Sequence, residues 1–246
     1  MRLKRLVVFA AVALVPIAAT AQFRSRAPRA EASVAYNSHF AFTRIRYNRG
    51  LGFNSGGWWH DYPTADQNFS AILDYITNMR VHLDGSNILD LDDPRIFENP
   101  VIYMSEPGYW ASNDAEARNL RNYLLKGGLI IFDDFEGPVH WANLVAQMRR
   151  ALPDHRFVPI DITHDIFHVF FDIKVLNVPH PTMNVPPGYF AMFENNDPSG
   201  RLIALANWNN DLGDYWEWSA EGLYGDDPTN DAYRIGVNYM VYAMTH

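Results

Sequence analysis

The sequence contains no cysteine and only three lysines. The absence of cysteine excludes disulfides, thiolate nucleophiles and zinc sites with cysteine ligands. Stability must therefore come from a hydrophobic core, which a chain of this length can build. The sequence also lacks a Gly-x-Gly-x-x-Gly string and a Gly-Lys-Ser/Thr string, so it carries no dinucleotide or phosphate-loop motif. Schiff-base chemistry has few candidate residues.

Residues 1–21 have the pattern of a secretory signal peptide. Three basic residues precede a short apolar run, and small residues at positions 19 and 21 form a cleavage site. The run is short for a membrane-spanning helix, which needs about 20 apolar residues. We predict cleavage after Ala21, export to the periplasm or the cell exterior, and no permanent membrane span afterwards. Residues 22–38 are predicted to be a flexible tether. The basic residues are Arg2, Lys4 and Arg5.

Acidic residues outnumber basic ones. The chain has 28 acidic and 20 basic residues, and removal of residues 1–21 would take away three basic and no acidic ones, which leaves a formal charge of −11. Nucleic-acid binding depends on basic surface that neutralises phosphates. We therefore expect no nucleic-acid partner.

Residues 120–136 predict one unit of an α/β fold. A helical segment is stopped by Gly127 and Gly128, and a buried strand over residues 129–132 ends on carboxylates. Strands alternate with helices along residues 39–246, which predicts a single α/β domain with a doubly wound, mostly parallel sheet and flanking helices. The other predicted strands are residues 40–47, 101–105, 156–160 and 201–207, and further helices are predicted at 141–149 and 231–244.

Two local predictions accompany this outline. Residues 42–47 alternate apolar with polar, which predicts a half-buried strand with Arg44 and Arg46 on one face. Thr64 and Gln67 have capping-box spacing before an amphipathic helix. That helix is expected to place its apolar stripe on the sheet.

The acids after residue 132 are the candidate catalytic residues. Asp133, Asp134 and Glu136, together with His140, could supply a general acid and a general base. Ligands of open α/β sheets bind at the carboxyl ends of the strands, where these residues lie. Because side chains alternate along a strand, we expect only one of the two adjacent aspartates to face a site.

Aromatic residues are interleaved with acids in the loops predicted at the same sheet edge. Flat rings beside carboxylates suit a sugar, whose apolar face stacks while its hydroxyls form hydrogen bonds. If the central strand is parallel, the loop of residues 58–60 and the loop of residues 209–218 should converge on Asp133 or Asp134. The candidate binding residues are Arg44, Arg46, Trp58, Trp59, His60, Asp211, Asp214, Trp216 and Glu217.

Two motifs have spacings similar to those of metal sites but do not match the complete zinc or calcium pattern. His164 and His168 have the spacing of helical zinc ligands, but Asp165 replaces the catalytic Glu and a strand-like stretch follows, so a turn that buries residues 166 and 167 is favoured. Asn209, Asp211, Asp214 and Glu217 place four oxygen side chains within nine residues, but Gly213 comes one residue late for a calcium loop and no Glu follows at the required place. A loop that caps its own backbone amides is favoured there. We assign no metal ligand and no cofactor.

Short motifs in a characteristic order give the chain a family resemblance. They are Phe42-x-Arg-x-Arg-Tyr47, Asp61-Tyr-Pro63, Leu120-Arg-x-Tyr-Leu-x-x-Gly-Gly128, Asp133-Asp134, His164-x-Ile-Phe167 and Asn209-x-Asp-x-Gly-Asp-Tyr-Trp-Glu217. This set resembles a bacterial family designated domain of unknown function 4159. The resemblance covers roughly residues 40–246. It implies a fold similar to class I glutamine amidotransferases and trehalose-utilisation-like proteins, in the wider flavodoxin-like class, and it implies no particular reaction.

The resemblance also implies where an amidotransferase would keep its cysteine nucleophile. At the corresponding turn this chain has Ser105 or Glu106, without the Gly-x-nucleophile-x-Gly pattern of an elbow. We therefore predict no glutaminase activity.

Three hypotheses for the function follow. The first is an exported module that binds a small molecule or glycan, such as a cell-envelope polymer, in a cleft of aromatics and acids. The alternative is a hydrolase that uses paired carboxylates, as in glycoside cleavage, where the two carboxyls lie roughly 5 to 9.5 Å apart. The third is a non-catalytic scaffold with a cell-envelope protein partner, which would need an exposed apolar patch.

Overall fold

A seven-stranded sheet organises the protein. The computed structural model describes residues 33–35, 37–50 and 57–246. The strand order is β3-β1-β4-β6-β9-β8-β7, and the first five of these strands are parallel while β8 and β7 are antiparallel to their neighbours. The strands of this sheet are β1 (Thr43–Arg46), β3 (Asn87–Asp90), β4 (Val101–Ser105), β6 (Leu129–Phe135), β7 (Val158–Pro159), β8 (Gly188–Phe193) and β9 (Leu202–Trp208). The short strands β2 (Asn48–Arg49) and β5 (Trp110–Ala111) form a separate antiparallel pair.

Helices cover both faces of the sheet. One core cluster joins one face to α1, α4 and α5, and a second cluster joins the other face to α2 and α3. This is the doubly wound arrangement that the alternation of strands and helices predicts. The helices are α1 (Thr64–Ile76), α2 (Asp114–Leu125), α3 (Gly137–Ala151), α4 (Leu212–Glu217) and α5 (Asp226–Thr245).

The α2–β6 unit forms as its sequence predicts. The Asn113 side chain accepts hydrogen bonds from the backbone of Ala115 and Glu116, and Glu116 bonds back to the backbone of Asn113. Gly127 follows the helix with a φ of 115°, a conformation that glycine adopts without strain. Strand β6 is longer than predicted, because it continues through Asp133 and Asp134 to Phe135 across an irregular register.

Two local predictions are wrong. Strand β1 lies between β3 and β4, and Thr43, Arg44 and Ile45 are all buried, so the predicted exposed face is found only at Arg46. Helix α1 has no capping box, because its N-cap is Pro63 and Thr64 is its first helical residue. Its apolar stripe on the sheet is confirmed by Ala65, Phe69 and Leu73, which are fully buried.

The sequence pattern also does not predict strands β3 and β8, and two of the predicted helices begin later than the observed ones. Helix α3 begins at Gly137 and α5 at Asp226, both earlier than predicted. The predicted signal peptide and most of the predicted tether lie outside the described residues. Among the described residues, no helix is both long and apolar enough to cross a membrane.

Candidate functional site

The loops after β4, β6 and β9 place acidic side chains at one edge of the sheet. Glu106 follows β4, Asp134 lies near the end of β6, and Asp211 begins the turn into α4 after β9. These three strands are parallel neighbours, so their carboxyl ends meet at the same edge. The order of strands along the chain reverses between β1 and β4, a position where open α/β sheets bind ligands.

Asp133 is a structural residue of this edge. Its side chain is fully buried and accepts hydrogen bonds from the Tyr103 hydroxyl at 2.8 Å, the Asn207 amide at 2.9 Å, and the backbone of Leu212 and Gly213 at 2.9 and 3.0 Å. Burial raises the pKa of Asp133 to about 7, against the effect of these donors. The carboxylate ties β6 to β4, β9 and the first turn of α4. Asp133 is therefore removed from the candidate catalytic residues.

Asp134 points the other way and meets His60. Its backbone has a φ of 59°, a left-handed conformation within the irregular part of β6. Asp134 Oδ2 lies 2.9 Å from His60 Nδ1 and accepts a hydrogen bond from Ser105 Oγ at 3.1 Å. Asp61 Oδ1 lies 2.9 Å from the same His60 nitrogen. Burial lowers the pKa of His60, but Asp134 and Asp61 together raise it well above its ordinary value.

Arg44 holds the loop that carries His60 and Asp61. Its guanidinium pairs with Asp66 of α1 at 2.6 Å, and both side chains are fully buried. The Nη1 atom of Arg44 also donates to the backbone oxygens of Trp58 at 3.1 Å and His60 at 2.8 Å. Arg44 is therefore a positioning residue, and its contacts leave it inside the protein rather than facing a ligand.

The turn after β9 and helix α4 add three more carboxylates. Asp211 caps α4 by accepting a hydrogen bond from the Asp214 backbone at 2.9 Å, and Asp214 Oδ2 accepts one from the Tyr224 hydroxyl at 2.8 Å. Burial raises the pKa of Asp211 well above its ordinary value, and nearby acids, with Asp134 first, raise it further. Burial and Asp61 raise the pKa of Asp214 to about 6 and that of Glu217 to about 7.

Asp61 is the least satisfied member of this group. Its side chain has no exposed surface, and within the described part of the chain its one polar contact is the 2.9 Å approach of His60 Nδ1 to Oδ1, while Oδ2 has no hydrogen-bond donor. His60 is shared with Asp134, so the buried charge of Asp61 is only partly compensated, which is costly. Asp61 also has a φ of 63°, so its backbone is held in a conformation that non-glycine residues rarely adopt.

Two sets of side chains could each hold a metal ion around Asp61. The ligand atoms of His60, Asp61, Asp134 and Asp211 all lie within 4.8 Å of one another, and so do those of Asp61, Asp214 and Glu217. Five carboxylates and one imidazole are thus concentrated in a mostly buried volume.

A family model matches most of the chain, including this edge of the sheet. The family model described as "Domain of unknown function (DUF4159)" matches residues 41–244. The chain belongs to the DUF4159 family. Comparison with curated proteins finds no match. The matched region of the DUF4159 domain includes the whole carboxylate cluster, which consists of His60, Asp61, Asp134, Asp211, Asp214 and Glu217.

Glu106 occupies a sharp turn at the end of β4. Its φ and ψ are both 49°, in the left-handed region, and a short 3-10 helix (Pro107–Tyr109) follows. The turn therefore has a left-handed residue at the strand end although the glycine pattern of an elbow is absent. Burial and the charge of Asp134 raise the pKa of Glu106 to about 8, while Gly57 donates a backbone hydrogen bond to its Oε2. Ser105, the other candidate for this position, is fully buried.

Glu136 and His140 form a separate pair at the start of α3. His140 Nδ1 lies 3.4 Å from Glu136 Oε2, and the contact lowers the pKa of Glu136. A β-carbon on Gly108 would clash with the His140 ring, so glycine is required where these segments meet. Neither residue belongs to the two groups around Asp61.

The aromatic lining predicted from the sequence is largely wrong. Trp216 and Trp58 are buried in the two cores, where neither ring can stack on a sugar. Trp59 is half-buried and packs against Trp58 and Arg49. Arg46 pairs with Asp90 at 2.7 Å on the surface. Of the predicted binding residues, the structure brings together His60, Asp211, Asp214 and Glu217.

The two motifs with a metal-like spacing adopt the alternatives favoured above. Ile166 and Phe167 are fully buried in a short 3-10 turn, and His168 contacts Asp172 at 2.8 Å rather than His164. The loop after β9 caps its own amides through Asn210 and Asp211.

Sequence reasoning missed Asp61 and set Glu106 aside. The sequence signals for Asp61 are its place next to His60 in a loop that follows a strand and its membership of the family motif Asp61-Tyr-Pro63. Its contact with α4 joins distant parts of the DUF4159 domain and leaves no local pattern.

Proposed function

We propose that this DUF4159 domain binds a divalent cation at the carboxylate cluster and uses it to hold an oxygen-rich ligand. The observation that carries the proposal is Asp61, whose buried carboxylate faces four others and has, among the described residues, only the shared His60 as a partner at Oδ1 and no hydrogen-bond donor at Oδ2. A cation supplies the missing partner. This proposal replaces the sequence-based assignment of no metal ligand.

The electrostatics of the cluster support a cation. Buried carboxylates that face one another must be neutralised, either by protons or by a positive ion. The pKa values of Asp211, Asp214 and Glu217 are all raised, so the cluster holds protons that a cation would displace. Carboxylate oxygens are the ligands that Mg²⁺, Ca²⁺ and Mn²⁺ prefer, and His60 adds a nitrogen that Mn²⁺ and Zn²⁺ accept.

The proposed ligand is a carbohydrate or a cell-envelope polymer, as in the first of the three hypotheses drawn from the sequence. A bound cation with open positions would coordinate hydroxyl or carboxylate oxygens of such a ligand. Burial of Trp58 and Trp216 weakens the part of that hypothesis that relied on ring stacking. The cation therefore becomes the main source of affinity in the proposal.

Hydrolysis is a second candidate, and Glu106 is the observation that favours it. A half-buried carboxyl with a pKa near 8, in a left-handed turn beside Asp134, is suited to accept a proton from a water molecule. A two-carboxylate glycosidase without a cation is disfavoured. Its paired carboxyls stand about 5 to 9.5 Å apart across an open pocket, whereas the carboxylates within each group around Asp61 are close enough to share one ion. A pure scaffold would not need buried, unpaired acids.

We also propose that the protein acts outside the cytoplasm. The support is the sequence pattern of residues 1–21, which lie outside the described residues. Mass spectrometry of the periplasmic and secreted fractions is expected to find a mature chain that begins at Gln22. A chain with an intact Met1 terminus in the membrane fraction would contradict this.

The cation is tested by calorimetry and thermal denaturation after treatment with a chelator. Mn²⁺, Mg²⁺, Ca²⁺ and Zn²⁺ are added separately, and at least one is expected to bind and to raise the melting temperature, because a ligand that binds only the folded state stabilises it. Asp61→Asn should abolish the effect. Asp231→Asn is the matched control, since it removes an exposed carboxylate that pairs with Arg234 on α5. Equal behaviour of the two variants would refute the proposal.

The ligand is tested on the protein loaded with the cation that binds. Carbohydrates and cell-wall fragments are titrated with the cation present and then in chelator. Binding only when the cation is present is expected, and release of a product would favour the hydrolase. In that case Glu106→Gln should remove turnover and leave cation binding intact.

A further inference from the structure

The two metal-binding groups have one member in common, Asp61. Asp61 Oδ1 lies 2.9 Å from His60 Nδ1, on the side of Asp134 and Asp211. Asp61 Oδ2 faces Gly213 so closely that a β-carbon there would clash with it. Gly213 belongs to α4, the helix that carries Asp214 and Glu217.

We infer that the site holds two divalent cations bridged by the carboxylate of Asp61. This inference rests on the proposed function and goes beyond it in the number of ions and in the role of one residue. The first cation would be held by His60, Asp61, Asp134 and Asp211, and the second by Asp61, Asp214 and Glu217. A carboxylate that bridges two ions uses one oxygen for each, and Asp61 is the one carboxylate that belongs to both groups.

The charge of the cluster supports two ions over one. Asp61, Asp134, Asp211, Asp214 and Glu217 provide five negative charges when ionised. The nearby Arg44 is already paired with Asp66. Once cations have displaced the protons of the acids and of His60, one divalent cation would leave a net charge of −3 in this mostly buried volume, and two would leave −1. Uncompensated charge in a buried volume is costly, so the second ion gains a strong electrostatic driving force.

The backbone around Asp61 preorganises the bridge. The Asp61 carbonyl accepts a hydrogen bond from Ala65 at the start of α1, and the Arg44 contact to the His60 carbonyl holds the preceding residue. Gly213 allows α4 to approach Asp61, since any side chain at position 213 would displace it. The position of Asp61 between the two groups is therefore built by three separate elements.

Two cations that share a carboxylate can act together on one oxygen of a bound ligand, as paired metal ions do in many hydrolases. The inferred centre therefore fits a ligand that presents an oxygen to both ions, and it suits the hydrolase candidate as well as the binding candidate.

The test counts ions and assigns them to the two groups. Isothermal titration calorimetry and metal analysis with Mn²⁺, on the full protein purified in chelator, are expected to find two equivalents. Electron paramagnetic resonance should show broadening from two neighbouring Mn²⁺ ions. Glu217→Gln and Asp134→Asn should each bind one equivalent. Asp61→Asn should weaken both ions at least about tenfold, while Asp231→Asn should keep two.

The outcomes separate this inference from the proposed function. One equivalent in the wild-type protein, lost in Asp61→Asn and retained in Glu217→Gln, would overturn the bridge and leave the single-cation proposal standing. No binding of any cation would overturn both. Circular dichroism of each variant in chelator checks that it folds. If Asp61→Asn does not fold, the number of ions bound by Glu217→Gln, a conservative change at a partly exposed position, still tests the inference.

Discussion

His60 Nδ1 lies 2.9 Å from Asp134 Oδ2, although the two residues are 74 positions apart in the chain. The contact joins the loop before α1 to the end of β6, and Asp61 Oδ1 lies at the same distance from the same nitrogen. The loops around His60 and Asp211 were expected to converge on Asp133 or Asp134, and they converge on Asp134. The structure also shows that the convergent residues are acids and a histidine rather than aromatic rings.

Substitution by Asn should affect the stability of the protein differently at the two adjacent aspartates of β6. Asp133→Asn is expected to lower the free energy of unfolding by about 1–3 kcal/mol, because buried donors lose their acceptor. Asp134→Asn, measured in chelator, is expected to leave stability unchanged or slightly raised, because it removes one charge from a crowded cluster. Urea denaturation followed by tryptophan fluorescence measures both. Equal losses would mean that Asp134 is a structural acid too.

The buried ion pair of Arg44 and Asp66 should be essential to the fold and to the site. Asp66→Ala leaves the Arg44 charge buried without its carboxylate, and we expect a loss of about 3–5 kcal/mol. The matched control is Asp90→Ala, which breaks the exposed Arg46–Asp90 pair and should cost at most about 1 kcal/mol. A comparable loss in both variants would contradict the role assigned to burial.

Without cations the protein should lose stability as the pH rises. The pKa of Glu217 is about 7 in the folded protein, above that of an unfolded glutamate. The folded protein therefore favours the protonated form of Glu217. This contribution to stability is complete below the pKa of the unfolded chain and is lost as the pH rises through 7. In chelator, the free energy of unfolding should fall less between pH 5 and 8 in Glu217→Gln than in the wild type. Identical pH profiles would count against the raised pKa, and added cation should restore stability at pH 8.

Purified protein is expected to release no ammonia from glutamine. Ser105 Oγ is fully buried and donates to Asp134, and the left-handed residue of the turn is a glutamate rather than a cysteine. A coupled ammonia assay measures this directly. Ammonia release that disappears in Ser105→Ala or Glu106→Gln would show that a different nucleophile has replaced the thiol.

Local sequence patterns were sufficient for the fold class and for part of the site. The periodicity of residues 120–136 predicts α2 and β6, since helix and strand periods and the capping residues are properties of neighbouring positions. The rule that strand ends carry sites then identified Asp134. The same reasoning failed for Arg44, because alternation in β1 cannot reveal that α1 provides a buried partner for a charged side chain.

The amino-acid sequence by itself determined the α/β alternation, the absence of thiol chemistry and the acidic exit of β6, because each depends on composition or on residues close together in the chain. Only the tertiary structure decided that Asp133 is structural, that Trp58 and Trp216 are core residues, and that Asp61 faces acids from two directions. Those outcomes depend on which distant segments the sheet brings together, and a buried carboxylate acquires its properties from neighbours that no local pattern specifies.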